Sequence, residues 1–273
     1  MIYNNKQQLL ELLKRENLYT EKRLGQNFLF NTQIIDQILQ AADILPTDHI
    51  VEVGPGLGLL TQELAQRAKK VTTIELDTKL IPYLENTFSA QKNLEILHQD
   101  VLDSTPPSTS YKVIANIPYY ITSPILSHFL QVTPPSIRPT TIVLLVQLEV
   151  AQKICARTGD HGVFSLQTQI YAHPEIIAKV SPTNFFPAPK VDSAILKLTI
   201  HPEPLVSDPT LFISLIRKAF SMKRKTLLNS LQGWQNLDRP AITALLEKAG
   251  IDSNARPQNL QISDFEKICL AAR

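Results

Sequence analysis

Residues 51–61 read VEVGPGLGLLT. A short valine-rich run enters three glycines at alternate positions, Gly54, Gly56 and Gly58, and a leucine-rich run leaves them. Glycine at such a junction permits a tight turn and lets a ligand approach the backbone where a strand passes into a helix. A dinucleotide loop of the form G-x-G-x-x-G would need its third glycine at position 59, which is Leu59. The pattern that stands is E-x-G-x-G-x-G, opened by Glu52.

Outward from this loop, short β-branched runs alternate with helical segments. Strands are expected at 49–54, 70–76, 93–100, 111–116 and 140–147, with helices at 57–68, 78–88, 123–132 and 148–157 between and after them. That alternation predicts an α/β fold, a mostly parallel sheet with helices on both faces. Upstream, Leu9, Leu10, Leu12 and Leu13 predict an amphipathic helix, a polar arm follows, and a second helix is expected over Thr32–Ala42. Beyond Gly159 two more strands are expected, at 175–182 and 192–200, separated by the proline-rich FFPAPK. From Asp208 onward the pattern is helical, with one long run over 209–234 and two shorter helices after it. The proline-rich 199–209 is the linker candidate. The expected domains are therefore 1–204, with a helix and arm in 1–31, and a small all-α domain over 205–273.

The E-x-G-x-G-x-G form resembles the cofactor loop of S-adenosylmethionine-dependent methyltransferases more than a nicotinamide site. Its context strengthens the reading. Glu75 closes the second strand twenty-one residues after Gly54, where a carboxylate can accept hydrogen bonds from ribose hydroxyls. Asp100 ends the third strand and can accept one from an adenine amine. Each acid alone would equally suit a helix cap or a solvated turn. The fourth strand ends in NIPYYIT, residues 116–122. An adenine N6 is a poor nucleophile because its lone pair is delocalised into the ring. The Asn116 side-chain carbonyl can accept from the N6 hydrogens and localise that lone pair, an oxyanion hole with the sign reversed. Pro118 stiffens the loop, and Tyr119 offers a face on which a base can stack. Read alone, the same residues would suit an Asx-type turn.

Taken in order, LGQNFLFN, VEVGPGLGLLT, IELD, HQDVLD, NIPYYIT, VQLEVAQKI, FFPAPKVDSA and AFSMKRKTLLNSL resemble the ribosomal RNA adenine N6,N6-dimethyltransferase family, in particular its bacterial small-subunit type. The resemblance implies a Rossmann-like class I methyltransferase domain and S-adenosylmethionine as cofactor. It implies that Asn27 and Leu29 close over that cofactor, joining Gly54, Gly56, Gly58, Glu75, Asp100 and Asn116. It also implies that Phe185, or its neighbour Phe186, stacks on the target base opposite Tyr119. The implied reaction places two methyl groups on each of two adjacent adenines near the 3′ end of small-subunit RNA, within the pre-30S particle. The sequence departs from the bacterial pattern at Leu148, in HGVFS and in SMKRKT. Those departures bear on RNA contacts rather than on methyl transfer.

Charge is consistent with an RNA partner only through its distribution. The net charge of 273 residues is +2, but Arg217, Lys218, Lys223, Arg224 and Lys225 fall within nine residues that contain no acid. Phe220, Leu227 and Leu228 suggest an apolar helix face behind this basic one, able to track phosphates. Lys14, Arg15, Lys22 and Arg23 form a second, weaker patch. Two cysteines, Cys155 and Cys269, make no disulfide framework. Neither they nor His98, His128 and His161 have metal-ligand spacing, so no metal is expected. The amino terminus lacks a signal-peptide core, and TIVLLV is too short to span a bilayer. A cytoplasmic protein with no membrane partner and no required dimer is expected. Two other functions fit less of the sequence: a large-subunit adenine methylase of the macrolide-resistance type, and a ribosome-assembly factor without catalysis.

Overall fold

The computed structural model describes residues 2–222 and 224–273, without the side chain of Lys22. The chain divides into two compact units, Met1–Ala151 with Glu175–Ile200, and Gln152–Pro174 with His201–Arg273.

In the first unit, α1 (Lys6–Arg15) buries Leu9, Leu12 and Leu13. A two-residue strand β1 (Phe28–Leu29) follows. Next comes α2 (Thr32–Ala42), whose Asn31 side chain accepts from Gln33 N to start it. Its buried Ile34, Ile35, Ile38 and Leu39 recur at helical spacing. The sheet then builds through β2 (His49–Val53), α3 (Leu59–Arg67), β3 (Lys70–Glu75), α4 (Ile81–Thr87), β4 (Leu94–His98), β5 (Lys112–Asn116), α5 (Thr122–Ser127), β6 (Thr141–Gln147) and α6 (Leu148–Ile154). After β7 (Ala172–Val180) and the short β8 (Phe185–Phe186), β9 (Ser193–Ile200) completes it.

The seven strands lie in the order β4-β3-β2-β5-β6-β9-β7. β2 pairs in parallel with β3 and β5, as β3 does with β4 and β5 with β6. β9 runs antiparallel to β6, with Leu145 opposite Ile195 and Gln147 opposite Ser193. Covered on both faces, the central strands are apolar without alternation, and Ile142–Val146 is buried throughout. Each fully buried Val, Leu or Ile there contributes about 1.5–3 kcal/mol. Strand order reverses between β2 and β5, so the loops leaving these two strands open a crevice at the carboxyl edge. The pairing of β1 with β8, Leu29 opposite Phe185, joins segments far apart in sequence; neither two-residue strand has a periodicity that could announce it.

The second unit contains α7 (Val163–Gln169), α8 (Pro209–Ala219), α9 (Leu227–Leu231), α10 (Arg239–Ala249) and α11 (Ile262–Ala271). Asp208 accepts from Leu211 N to cap α8, and Phe212 meets Phe265 edge-on at 6.1 Å. The segment 152–174 belongs to this unit, whereas a boundary at 204/205 assigns it to the first. Local backbone bonds explain the grouping: His201 N donates to Tyr171 O and Gly159 N to Gln258 O. The long helix expected over 209–234 is interrupted. α8 ends at Ala219, where the Ser221 hydroxyl takes the Lys218 carbonyl and competes with helix continuation. Leu227 and Leu228 then donate to the carbonyls of Ala255 and Ser253. Among the described residues no helix is long and apolar enough to cross a membrane.

Candidate active site

The crevice at the strand reversal is a cleft walled by the loops that leave the parallel strands and by the amino-terminal arm. Gly54, Gly56, Glu75, Asp100, Asn116, Pro118 and Tyr119 line it, and so do Asn27 and Leu29 from the amino-terminal arm. Residues separated by more than ninety positions thus converge on one space.

The glycine loop is shaped by contact. Gly56 has φ +57°, and a Cβ there would lie 3.2 Å from the Phe28 ring. Gly58, at φ +80°, starts α3, and a Cβ would sit 2.6 Å from Phe88. Left-handed backbone alone costs an ordinary residue about 1–2 kcal/mol. Gly58 faces the packed side chains of Phe88 and Leu84, whereas Gly54 and Gly56 line the cleft.

Glu75 lines the cleft and is also held by the backbone around it. Its Oε1 accepts from the backbone N–H groups of Leu76 and Asp77, both at 2.8 Å, and Oε2 accepts from Gly56 N at 3.2 Å. Burial raises its pKa, and those three N–H groups partly offset the rise. Asp100 uses Oδ1 to accept from Leu102 N at 2.9 Å. Turn cap and cleft wall are therefore one residue. Glu52 is 1% exposed at the base of the cleft. Its Oε2 accepts from the Thr61 hydroxyl at 2.6 Å, while Oε1 has no partner among the described residues. Burial pushes its pKa up to about 7, against the opposing pull of the Thr61 hydroxyl.

Across the crevice, Asn116 Nδ2 donates to the Asn27 carbonyl at 3.5 Å, a long bond. Its Oδ1 takes no hydrogen bond among the described residues and remains an acceptor for an incoming N–H. The Tyr119 hydroxyl shares a 2.6 Å hydrogen bond with Ser193 Oγ, which fixes the ring from the fully buried start of β9. Tyr120, 62% exposed, stands at the rim beside Gly25.

Phe185 is not at the cleft. Its pairing opposite Leu29 turns the ring into the core at 3% exposure, and Phe186 is half-buried beneath the Lys6 ammonium. The basic run is also rearranged. Arg217 and Lys218 close α8, whereas Arg224 and Lys225 lie in the turn after it rather than along a continued helix face. Arg217, Arg224 and Lys225 are exposed, Lys218 is half-buried, and Lys223 lies outside the described residues. Among the described residues no three His, Cys, Asp or Glu side chains form a metal-binding group; His161 Nδ1 is bonded to the Leu260 carbonyl. Sequence reasoning missed Gln26, Asp77 and Ser193, because each matters through a contact with a distant residue.

The profile of the family described as ribosomal RNA adenine dimethylase matches residues 17–272. This chain belongs to that family. Among curated members, ribosomal RNA small subunit methyltransferase A of Dehalococcoides mccartyi (strain CBDB1) is 40% identical over 270 residues, covering 96% of this chain and 92% of its own. The protein of the same description from Alkaliphilus metalliredigens is 41% identical over 257 residues, covering 89% and 88%. A solved dimethyladenosine transferase from Plasmodium falciparum is 28% identical with a TM-score of 0.79, over 89% of this chain and 96% of that one. The 23S rRNA methyltransferase ErmE is 31% identical with a TM-score of 0.71, over 90% and 99%. The fold is accordingly that of the Rossmann-like class I methyltransferases, and the family's methyl donor is S-adenosylmethionine. The residues present fit that donor. Gly54 and Gly56 keep side chains off the cleft floor, Glu75 and Asp100 offer carboxylates at successive strand ends, and Leu29 supplies an apolar wall.

Proposed function

We propose that this protein uses S-adenosylmethionine to dimethylate the N6 amines of two adjacent adenines near the 3′ end of 16S ribosomal RNA. On this reading it acts in the cytoplasm as a monomer on the pre-30S particle during small-subunit maturation. The observation that carries the small-subunit target is the 40% identity, over 96% of the chain, to curated small-subunit methyltransferases.

The donor supplies an electrophilic methyl group on a sulfonium. Gly54, Gly56, Glu75 and Asp100, with Asn27 and Leu29 above them, would hold its nucleoside. Asn116 Oδ1 accepts from the target N6–H and draws that nitrogen toward tetrahedral geometry, which exposes its lone pair. Pro118 keeps Asn116 and Tyr119 at a fixed spacing. Tyr119 stacks on the base, a contact that contributes about 1–3 kcal/mol. The methylated nitrogen loses its proton to water, so catalysis is largely positioning. Arg217, Lys218, Lys223, Arg224 and Lys225 bind phosphates. Phe185 supports this site from below by packing beside Leu29.

The likeness to ErmE favours a second reading, in which the target is large-subunit RNA. Purified protein, labelled donor and undermethylated small or large subunits, followed by mass spectrometry of the digested RNA, separates the two. Dimethyladenosine near the 3′ end of 16S RNA is expected. Transfer to large-subunit RNA alone would replace this target, and transfer to neither would leave an assembly role.

A further inference from the structure

The arm that crosses the rim of the cleft is tied to the glycine loop by an unbroken run of hydrogen bonds. Gln26 Nε2 donates to Asp77 Oδ2 at 2.8 Å, and Gln26 Oε1 accepts from Glu21 N at 2.8 Å. The Glu21 carboxylate pairs with the Lys79 ammonium. From Asp77 the run continues inward. Asp77 N donates to Glu75 Oε1, and Glu75 Oε2 accepts from Gly56 N. Asp77 is buried, and Lys79 N donates to its Oδ1 at 3.1 Å, so both oxygens are committed and the carboxylate is held in one orientation.

The links differ in kind. The Glu21–Lys79 pair has an exposed lysine, and such pairs are weak. The Gln26–Asp77 bond joins a half-buried amide to a buried carboxylate, and bonds to charged groups are the stronger class. Gln26 also lines the cleft.

From this geometry we infer that Gln26 and Asp77 are positioning residues that latch the arm to Glu75. Lowering of the arm and orientation of the ribose-facing carboxylate are then one event, and ligand leaves only after the latch parts. The inference rests on the reading of the cleft as the donor site. It concerns exchange of the donor and its product, not the methyl-transfer step.

Two opposite substitutions test it. Gln26→Glu sets a carboxylate against Asp77, and Gln26→Lys sets an ammonium there. The probe is S-adenosylhomocysteine, with its dissociation followed by stopped-flow fluorescence and KM and kcat measured alongside. Gln26→Glu is expected to speed dissociation by about tenfold and to raise KM for the donor. Its kcat should stay within about twofold, and Gln26→Lys should dissociate no faster than wild type. Equal loosening by both substitutions would make Gln26 a packing residue and overturn the latch, as would no change in either. Should Gln26→Glu fail to fold, Gln26→Ala replaces it, with about fivefold faster dissociation expected and an unchanged rate overturning the proposal. A wild-type protein that binds no S-adenosylhomocysteine would instead sink the donor-site reading, and the latch with it.

Discussion

The loops at the strand reversal and the basic turn after α8 carry the two halves of the proposed chemistry, and they are built on different principles. In the cleft each residue type is demanded by its neighbours. Phe88 excludes any side chain at Gly58, Gly56 offers its N–H to Glu75, and Ser193 holds the Tyr119 ring. In the basic turn little is demanded. Arg224 and Lys225 are exposed, and among the described residues neither is held by an ion pair. Chemistry that depends on orientation sits where packing sets orientation, while phosphate attraction tolerates a mobile charge.

The sharpest way to break that contrast is at Asn116. Asn116→Ala should lower kcat by about 10²–10³, comparable to loss of an oxyanion-hole donor. Donor affinity by calorimetry should change little. Equal losses of both would return Asn116 to the role of a wall residue.

Glu52 tests whether packing in the cleft extends to a buried charge. Its folded pKa is raised to about 7, so the folded state binds the extra proton. Its destabilising effect is absent below the unfolded carboxylate range, grows as pH rises, and is complete above about 7, on the order of 3 kcal/mol. Melting temperatures from pH 4 to 8 should fall less steeply for Glu52→Gln than for wild type. Parallel curves would mean that the carboxylate is already ionised at low pH.

At Glu75 the effect should be smaller. Glu75→Ala removes ligand hydrogen bonds at about 1–3 kcal/mol, roughly 5–150-fold in donor affinity. It also releases Gly56 N, so part of the loss should appear as a lower melting temperature. Glu75→Gln, which keeps two acceptor sites, should recover part of that stability. Unchanged donor affinity in Glu75→Ala would remove the residue from the site.

The basic turn should respond least, and differently. Replacing Arg224 and Lys225 together with Ala should weaken RNA binding and flatten its salt dependence, by about 0.7–0.9 in logarithmic slope for each phosphate left unneutralised. Turnover at saturating RNA should stay near wild type. A large fall in kcat would show that this turn orients the substrate as the cleft does.

The sheet was legible because buried parallel strands and glycine turns leave local marks, as at Val51–Gly58 and Tyr111–Asn116. The convergence of Glu75, Asp100 and Asn116 on one cleft followed from their places at strand ends. Phe185 did not, because its environment is set by a two-residue strand paired across more than 150 positions. Neither did the break after α8, where Ser221 and the distant carbonyls of Ser253 and Ala255 outweigh a favourable helical pattern. Gln26 and Asp77 are ordinary polar residues in sequence; only the fold makes them partners.

The tether between Tyr119 and Ser193 has a consequence for how the enzyme comes into being. β9 inserts beside β6 after the parallel strands have already been synthesised, and it alone delivers the hydroxyl that steadies the ring. Until residue 193 is docked, a growing chain lacks the hydroxyl that braces the Tyr119 ring. Competence therefore arrives late in synthesis, with closure of a long-range strand pairing, the kind of step that is slow to form. A chain truncated or stalled before residue 193 would lack this tether and, on the proposed reading of Tyr119, the braced ring on which a base stacks.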